Sequence, residues 1–451
     1  MPALVIEGAA IATVDAAERE YRDGHIVVEN GIITAVGQGA APELPGSETV
    51  AAAGCLATPG LVNTHHHLYQ WITRGYAQDG TLFEWLTELY PVWGGLDAEL
   101  EFAAAGAALG MLALTGCTTT MDHHYVFPRA GGDMLGAEIA AAQRVGLRFH
   151  PTRGSMDLGA SSGGLPPDHV VEDIDTILGS CQDAVSRYHD PGFGSMLRIA
   201  LAPCSPFSVT GELMRQSALL ARELGVRLHT HLAETADEDD YCRQHFGMRP
   251  VDYVESLGWL GDDVWLAHCV HLDAGDIAKL AATSTGVAHC PSSNGRLGSG
   301  IAAIPELLTA GVPVGLGVDG VASNENGGLA TELREAMLAA RFRRGPRALT
   351  ARQVLQMATI GGARCLGRAQ ELGSLEVGKV ADIALWRLDG LGHADIDDPL
   401  CALVFGPPAP VRLLLVGGEP VVVDGQLQTA DVTVLARDAR HAAQVLRRRA
   451  E

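Results

Sequence analysis

Eight short apolar segments alternate with longer helical stretches through the middle of this 451-residue chain. The helical stretches are rich in Ala, Leu, Glu and Arg, and such alternation is typical of repeated βα units around a parallel sheet. The apolar segments are 60–63, 118–122, 147–152, 198–202, 226–230, 264–267, 286–288 and 313–318. Because eight strands close a (β/α)₈ barrel, the sequence predicts an α/β fold of the TIM-barrel class.

The two ends of the chain have a different pattern, with short β-rich runs separated by turns. These runs are 3–7, 24–37, 373–386 and 411–418. Asn30-Gly31 stands between two β-branched runs and indicates a tight hairpin, since both residues tolerate positive φ. We expect both ends to form one small β-sandwich. The predicted domains are residues 1–57 for its first part, 58–369 for the barrel, and 370–451 for its second part with a terminal helix.

Composition narrows the classes of partner. The formal net charge of −22 argues against nucleic acid and anionic membranes, which need a basic face to neutralise phosphates, whereas a small neutral substrate meets no such objection. The nine cysteines contain no CxxC pair and are typical of reduced thiols. No basic segment followed by an apolar core opens the chain, so we expect a cytoplasmic protein. The sequence leaves open whether the chain forms a homo-oligomer.

Polar residues suited to metal binding or catalysis directly follow most of the apolar segments. They are His65, His67, His123, Arg153, Cys204, His231, His268, His289 and Asp319. In a (β/α)₈ barrel, catalytic residues lie at the carboxyl ends of the strands. Three neutral imidazoles and one carboxylate bind Zn²⁺ or Fe²⁺, keep a water molecule and lower the pKa of that water. The pattern therefore predicts a metal-dependent hydrolase.

The first histidine cluster follows the first apolar segment. His65 and His67 alternate on an extended segment, so their imidazoles leave the same side and can share one ion. His66 should point the opposite way, as a packed or hydrogen-bonded histidine.

The second cluster is His231-Leu-Ala-Glu234. His231 can ligate the ion, and the carboxylate of Glu234 can act as a general acid and base that shuttles a proton to the substrate. His229 lies two residues earlier and competes as a ligand, but its depth in the barrel favours a core role.

Asp319 ends a run of alternating Val and Gly, where an unpaired buried carboxylate would be costly. Either a metal or a catalytic hydrogen bond removes that cost. The same carboxylate can also take a proton from an attacking water.

Four motifs together resemble the amidohydrolase superfamily, in its branch of nucleobase and s-triazine deaminases. They are PGLVNTHHH at 59–67, HLAET at 231–235, AHC at 267–269 and VDGVASN at 318–324. The resemblance covers nearly the whole chain. It implies that His65, His67, His231 and Asp319 bind the metal, that Glu234 is the proton shuttle, and that His268 orients the nucleophile without binding the ion.

The number of metal ions follows from the lysines. Binuclear members of the superfamily bridge their metals with a carboxylated lysine at a strand end, but this chain has only Lys279 and Lys379. Neither follows a predicted barrel strand. We therefore expect one divalent ion per chain, with Zn²⁺ the first choice and Fe²⁺ compatible with the same ligands.

Further motifs resemble the bacterial 8-oxoguanine deaminases, which also accept isocytosine. They are Gln70, YPVW at 90–93, DHHYVFP at 122–128, RGSMDLG at 153–159, APCSPFS at 202–208 and HCPSSN at 289–294. This resemblance implies release of ammonia from an amino-substituted oxo-purine or pyrimidine. The predicted substrate contacts are Gln70, Trp85, Arg153, Cys204, Phe207 and His289. Guanine itself is disfavoured, because the arginine expected of guanine deaminases is absent from 205–207.

Two residues differ from the pattern of these deaminases and leave other functions open. Glu325 stands where aspartate is expected, and Gly295 replaces a bulkier side chain. An s-triazine aminohydrolase or chlorohydrolase of the same family is the alternative activity. A non-catalytic metal-binding barrel is the alternative class, although both Glu234 and Asp319 are retained.

Overall fold

Two sheets contain the strands of the computed structural model, which describes residues 2–451. The strands before the barrel are β1 (Leu4–Ala12), β2 (Glu20–Glu29), β3 (Ile32–Gln38), β4 (Glu48–Ala51) and β5 (Cys55–Pro59). The barrel strands are β6 (Leu61–Asn63), β7 (Cys117–His124), β8 (Arg148–Ser155), β9 (Ala200–Pro203), β10 (Arg227–Leu232), β11 (Val264–His268), β12 (Gly286–His289) and β13 (Val314–Leu316). The last strands are β14 (Ile383–Arg387), β15 (Val411–Val416), β16 (Glu419–Val423) and β17 (Gln426–Leu427).

The eight strands β6 to β13 are parallel and form a closed barrel in chain order. Each of the eight predicted apolar segments overlaps one of these strands, which confirms the (β/α)₈ prediction. Closure occurs between the last and the first strand, where Leu316 pairs with Asn63. The backbone N–H of Thr64 donates to the carbonyl of Leu316 at 2.9 Å and extends this seam.

The remaining strands form one sheet in the order β17-β16-β15-β14-β5-β1-β2-β3, with β4 parallel to β1. Both ends of the chain contribute to it, as the sequence predicts. The predicted hairpin joins β2 to β3, and Asn30 and Gly31 have φ of 52° and 78°. Hydrogen bonding runs through all of these strands without a break. The domain boundaries at 57 and 370 stay predictions.

Fifteen α-helices surround the sheets within the described residues. Those before β9 are α1 (Leu82–Trp93), α2 (Ala98–Leu114), α3 (Met134–Val145) and α4 (Ile174–Tyr188). Those between β9 and β12 are α5 (Gly211–Leu224), α6 (Ala236–Phe246), α7 (Pro250–Ser256) and α8 (Ala274–Thr283). The others are α9 (Pro291–Arg296), α10 (Ile304–Thr309), α11 (Leu329–Arg344), α12 (Ala351–Gln356), α13 (Gly362–Cys365), α14 (Pro399–Phe405) and α15 (Val432–Ala450).

The predicted terminal helix is α15, which packs on α2 through Leu435. The helix α2 presents Gly106 and Gly110 at this contact, and a Cβ on Gly110 would lie 3.0 Å from Leu435. None of the helices between residues 2 and 451 is both long and apolar enough to cross a membrane.

A buried ion pair joins the barrel to the sheet. Arg148 on β8 donates to both carboxylate oxygens of Asp382, at 3.0 and 3.2 Å, and the backbone N–H of Gly417 donates to the same carboxylate at 2.7 Å. The Arg148 side chain is fully buried and that of Asp382 is 4% exposed. This carboxylate therefore compensates a guanidinium that water does not reach.

We predict that Asp382→Asn lowers the free energy of unfolding by about 3 to 5 kcal/mol, because it leaves the buried charge of Arg148 without its partner. Denaturant unfolding measures this change. Asp424→Asn is the control, because Asp424 pairs with Arg387 at the surface with 66% of its side chain exposed, and such a pair contributes about 1 kcal/mol or less. Equal losses in the two variants would contradict a structural role for the buried pair.

Candidate metal centre and active site

The seam of the barrel brings together two residues that lie far apart in the sequence. His65 follows β6 and Asp319 follows β13, and the backbone N–H of Asp319 donates to the carbonyl of His65 at 3.1 Å. Nε2 of His65 lies 3.2 Å from Oδ1 of Asp319. Strand closure thus sets an imidazole beside a carboxylate at the carboxyl end of the barrel.

The other two predicted ligands meet at the same point. Nε2 of His67 lies 3.3 Å from Oδ1 of Asp319 and 3.1 Å from Nε2 of His231. All four side chains are at least nine-tenths buried. The predicted ligand set is therefore a single cluster of three imidazoles and one carboxylate.

Hydrogen bonds fix the tautomers of two of these imidazoles. Nδ1 of His67 lies 2.8 Å from the carbonyl of His123, and Nδ1 of His231 lies 2.7 Å from the carbonyl of Cys204. A carbonyl can only accept, so Nδ1 carries the hydrogen in each ring and Nε2 presents a lone pair. Two lone pairs facing each other at 3.1 Å repel one another. A cation between them turns this repulsion into coordination.

His229 fixes the tautomer of the third imidazole. Nδ1 of His229 donates to the carbonyl of Trp265 at 2.8 Å, so its Nε2 can accept from Nδ1 of His65, also at 2.8 Å. Nε2 of His65 is then a lone pair, buried and without a hydrogen-bond partner. Burial also lowers the pKa of His65 to about 3, which keeps the ring neutral near pH 7. The donor set therefore fits a divalent cation.

His123 and His66 lie next to these residues. His123 stacks on His231 with ring centroids 4.6 Å apart, and its Nε2 donates to the carbonyl of Ala202 at 3.0 Å. Its ring belongs to a group with His65, His67 and His231 whose nitrogens lie within 4.8 Å of one another. Nδ1 of His66 instead accepts from the backbone N–H of His67, so this ring turns away from the cluster.

Glu234 and His268 border the cluster on its open side. Nε2 of His268 lies 3.5 Å from Oε2 of Glu234 and 3.8 Å from Oδ2 of Asp319. Burial raises the pKa of Glu234 to about 8, and the charge of Asp319 adds to this shift. A carboxyl whose pKa lies near neutrality can both give and take a proton at physiological pH.

A small cavity opens above the cluster. Its lining consists of His67, Gln70, Leu82, Trp85, Leu86, Tyr90, Tyr125, Cys204, Phe207, His231, Glu234, His268, Leu297, Asp319 and Ser323. Four of the six predicted substrate contacts, Gln70, Trp85, Cys204 and Phe207, are therefore at this cavity. Burial raises the pKa of the Cys204 thiol to about 12, so this residue lines the wall as a neutral group.

Gln70 is one of the residues that line the cavity. Its Oε1 is buried and has no hydrogen-bond partner. The side chain packs against Gly320, where an added Cβ would lie only 1.8 Å from that oxygen. Glycine at 320 is thus required for the observed position of the Gln70 amide.

The two other predicted contacts are not at this cavity. The guanidinium of Arg153 donates to both carboxylate oxygens of Glu172, at 2.7 and 2.8 Å, and lies 3.6 Å above the ring of Phe127. It lines a different cavity, between β8 and α4. His289 is the last residue of β12 and is buried, and neither ring nitrogen has a hydrogen-bond partner.

Several residues that support the site were missed by sequence reasoning. Ser293 donates to Oδ2 of Asp319 at 2.6 Å, and Asn294 accepts from Nδ1 of His268 at 3.0 Å. The carboxylate of Glu238 accepts from the backbone N–H groups of Ala233 and Glu234, at 2.8 and 2.9 Å. Ser293 and Asn294 lie within the HCPSSN motif, which was the available signal. The only sequence signal for Glu238 was its position in the first turn of α6.

The backbone is strained where these side chains leave the strands. Ala233, His268, Cys269 and Asp319 have φ of 51°, 70°, 50° and 61°, in the left-handed region. Such conformations cost about 1 to 3 kcal/mol each for residues other than glycine. Hydrogen bonds such as those that the backbone N–H groups of Ala233 and Glu234 donate to Glu238 hold the chain in this form.

Comparisons with known proteins identify similar sequences and structures. The model of the amidohydrolase family matches residues 56–421. An 8-oxoguanine deaminase from Pseudomonas aeruginosa is 46% identical, over 94% of this chain and 95% of that protein. A hydroxydechloroatrazine ethylaminohydrolase from Pseudomonas sp. strain ADP is 39% identical, over 95% of this chain and 92% of that protein.

A solved structure is similar in fold over almost the full length. It is the crystal structure of an atrazine chlorohydrolase from Arthrobacter aurescens TC1 complexed with zinc. The TM-score is 0.93 at 36% sequence identity, and the match covers 98% of this chain and 100% of that chain.

We predict that His229→Leu weakens metal binding by about 10- to 100-fold, because Nδ1 of His65 loses its acceptor and the ring its fixed tautomer. Competition with a chromogenic zinc chelator measures the affinity. His150→Leu is the control, since His150 is also a buried barrel histidine but has no hydrogen-bond partner on either nitrogen. Unchanged affinity in His229→Leu would contradict the relay.

Proposed function

The chain belongs to the amidohydrolase family, and on this premise we propose that it hydrolyses the amino group of 8-oxoguanine, and also of isocytosine, with release of ammonia. The observation that carries the proposal is the convergence of three imidazole lone pairs and one carboxylate oxygen beside Glu234, on the wall of a cavity. The sequence similarity to an 8-oxoguanine deaminase over 94% of the chain supports the substrate.

We propose that His65, His67, His231 and Asp319 hold one divalent ion, with Zn²⁺ the first choice. When bound, such an ion lowers the pKa of a water molecule and so supplies a nucleophile at neutral pH. The zinc in the similar chlorohydrolase structure supports this choice of metal. The remaining chemistry depends on what the side chains do with protons and with the substrate ring.

Glu234 is proposed as the proton shuttle. With its pKa raised to about 8 by burial, its carboxyl can donate to the ring nitrogen next to the carbon that is attacked. That nitrogen takes the electron pair of its double bond together with the proton, while the carbon accepts the oxygen of water. The carboxylate of Glu234 can then take the remaining proton of the attacking oxygen and pass it to the exocyclic amine, which leaves as ammonia while C=O forms. The proton taken up by Asp319 afterwards restores the carboxyl of Glu234.

Asp319 and His268 are proposed to handle the proton of the attacking water. Oδ2 of Asp319 is the oxygen that accepts this proton, and the hydroxyl of Ser293 holds it in place. Asn294 accepts from Nδ1 of His268 and thereby directs Nε2 towards the attacking oxygen. In sum, one water and one C–NH₂ group become one C=O group and NH₃.

Gln70, Trp85 and Phe207 are proposed to bind the heterocyclic ring. Gln70 lines the cavity, and its amide can hydrogen-bond the amide edge of the ring. Nε1 of Trp85 donates to the carbonyl of Ala322 at 3.2 Å, so the indole is fixed at the wall of the cavity. Flat, apolar walls with one amide acceptor suit a small aromatic ring that carries its own donors.

The second candidate is an s-triazine aminohydrolase or chlorohydrolase. The observations that favour it are the 39% identity to the ethylaminohydrolase and the TM-score of 0.93 to the atrazine chlorohydrolase. Both activities use the same attack on a ring carbon next to a ring nitrogen. Only the leaving group and the ring contacts differ.

We also propose a cytoplasmic location. No disulfide joins any of the nine cysteines in the described part of the chain, and eight of the nine are buried. Such thiols are typical of a reducing compartment.

The test of the substrate is release of the leaving group by the zinc-loaded enzyme. Ammonia is measured with 8-oxoguanine, isocytosine, guanine and cytosine, and ammonia, alkylamine or chloride with hydroxylated or chlorinated s-triazines. We expect the highest kcat/KM with 8-oxoguanine, lower values with isocytosine and none with guanine. Turnover of triazines alone would replace the proposal with the second candidate. Absence of turnover on every ring, with zinc bound, would indicate a metal-binding barrel without this activity.

Glu234→Gln should lower kcat by at least about 100-fold while the zinc content stays the same, because an amide cannot shuttle a proton. Ammonia assays and elemental analysis measure the two quantities on one preparation. Glu223→Gln, an exposed position on α5, should keep both. A kcat near that of the unaltered enzyme would refute the role of Glu234.

A further inference from the structure

A second group of potential ligands lies outside the active site, between β7, α2 and α3. It consists of Glu101 on α2, His124 at the end of β7 and Glu138 on α3, and none of the three has any exposed surface. Their ligand atoms lie within 4.8 Å of one another. The proposed deaminase chemistry uses none of them.

The imidazole of His124 points a lone pair into this group. Its Nε2 lies 2.9 Å from the carbonyl of Val126, which can only accept, so Nε2 carries the hydrogen. Nδ1 is then a lone pair without a hydrogen-bond partner. It lies 3.8 Å from Oε1 of Glu101 and 4.0 Å from Oε2 of Glu138.

Neither carboxylate has a basic side chain as a partner. No N–H or hydroxyl group donates to the four buried oxygens of Glu101 and Glu138, and within residues 2–451 no Arg or Lys lies within 4 Å of them. The carboxyl of Glu138 has one further neighbour, the carboxyl of Asp122, within hydrogen-bonding reach. A charged carboxylate that is buried without a partner of opposite charge costs several kcal/mol of folding free energy. Some positive species must therefore neutralise them, either protons or a cation.

The distances from Nδ1 of His124 to the two carboxylates favour a cation. A carboxylic acid that donates to an imidazole or a carboxylate lies about 2.5 to 3.0 Å from its acceptor. Ligand atoms at about 2.1 Å from a tetrahedral metal are instead about 3.5 Å apart. The observed 3.8 and 4.0 Å are close to the second value and too long for the first.

We propose that Glu101, His124 and Glu138 form a second metal site, which binds a divalent first-row cation such as Zn²⁺ or Mn²⁺. One imidazole and two carboxylates suit these ions, and the two negative charges balance the charge of the ion. The site links the end of β7 to the two helices that cover it.

Asp122 connects this site to the active site. Its Oδ1 accepts from the backbone N–H of Leu68 at 2.6 Å, directly after the predicted ligand His67. Its carboxyl also lies within hydrogen-bonding reach of the carboxyl of Glu138, one of the three proposed ligands. The second ion thus supports the strand end that holds the His67 loop, and its role is structural.

The test begins with metal stoichiometry. The enzyme is stripped with a chelator, reloaded with excess Zn²⁺, freed of unbound ions by gel filtration and analysed for zinc per chain. We expect about two equivalents for the unaltered enzyme and about one for Glu138→Gln. His231→Ala should also fall to about one, because it removes a ligand of the other site. Glu99→Gln, an exposed position on α2, should keep about two.

A second measurement does not depend on the folding of any variant. Anomalous scattering at the zinc edge from crystals of the reloaded enzyme should give one peak at the barrel mouth and one bounded by Glu101, His124 and Glu138. A map with no peak at the second position overturns the proposal and assigns the charge balance to protons. This outcome leaves the proposed deaminase untouched, whereas two peaks without turnover would count against the deaminase alone.

Discussion

The closure of the barrel between β13 and β6 is the contact on which the site depends. It sets Asp319 beside His65, and the carboxylate then completes a cluster to which β6 and β10 contribute the imidazoles. Backbone carbonyls and His229 orient each ring so that its free nitrogen faces the same point. The orientation of these ring nitrogens towards one point thus depends on hydrogen bonds to groups outside the cluster.

The sequence predicts the fold because its signals are local. Each barrel strand is a short apolar run, and the Asn30-Gly31 hairpin requires only neighbouring residues. The clustering of His65, His67, His231 and Asp319 could also be predicted, since strand ends of a barrel meet on one side. The relay through His229 could not, because its two partners come from other strands.

Substrate contacts were harder to predict for the same reason. Arg153 follows a strand as the ligands do, but Glu172, nineteen residues later, holds its guanidinium away from the cavity. Gln70 is at the cavity because Gly320 leaves room for it across the seam. In both residues the direction of a long side chain depends on a distant neighbour, which no short motif encodes.

The seam also determines when the four proposed ligands can come together during synthesis. The hydroxyl of Thr64 and the carbonyl of Leu316 that bond across it are 252 positions apart in the chain. The first two histidines leave the ribosome long before the aspartate that completes their set. A nascent chain therefore lacks one of the four proposed ligands until about seven tenths of it has been translated, and the complete set can come together only after β13 has paired with β6.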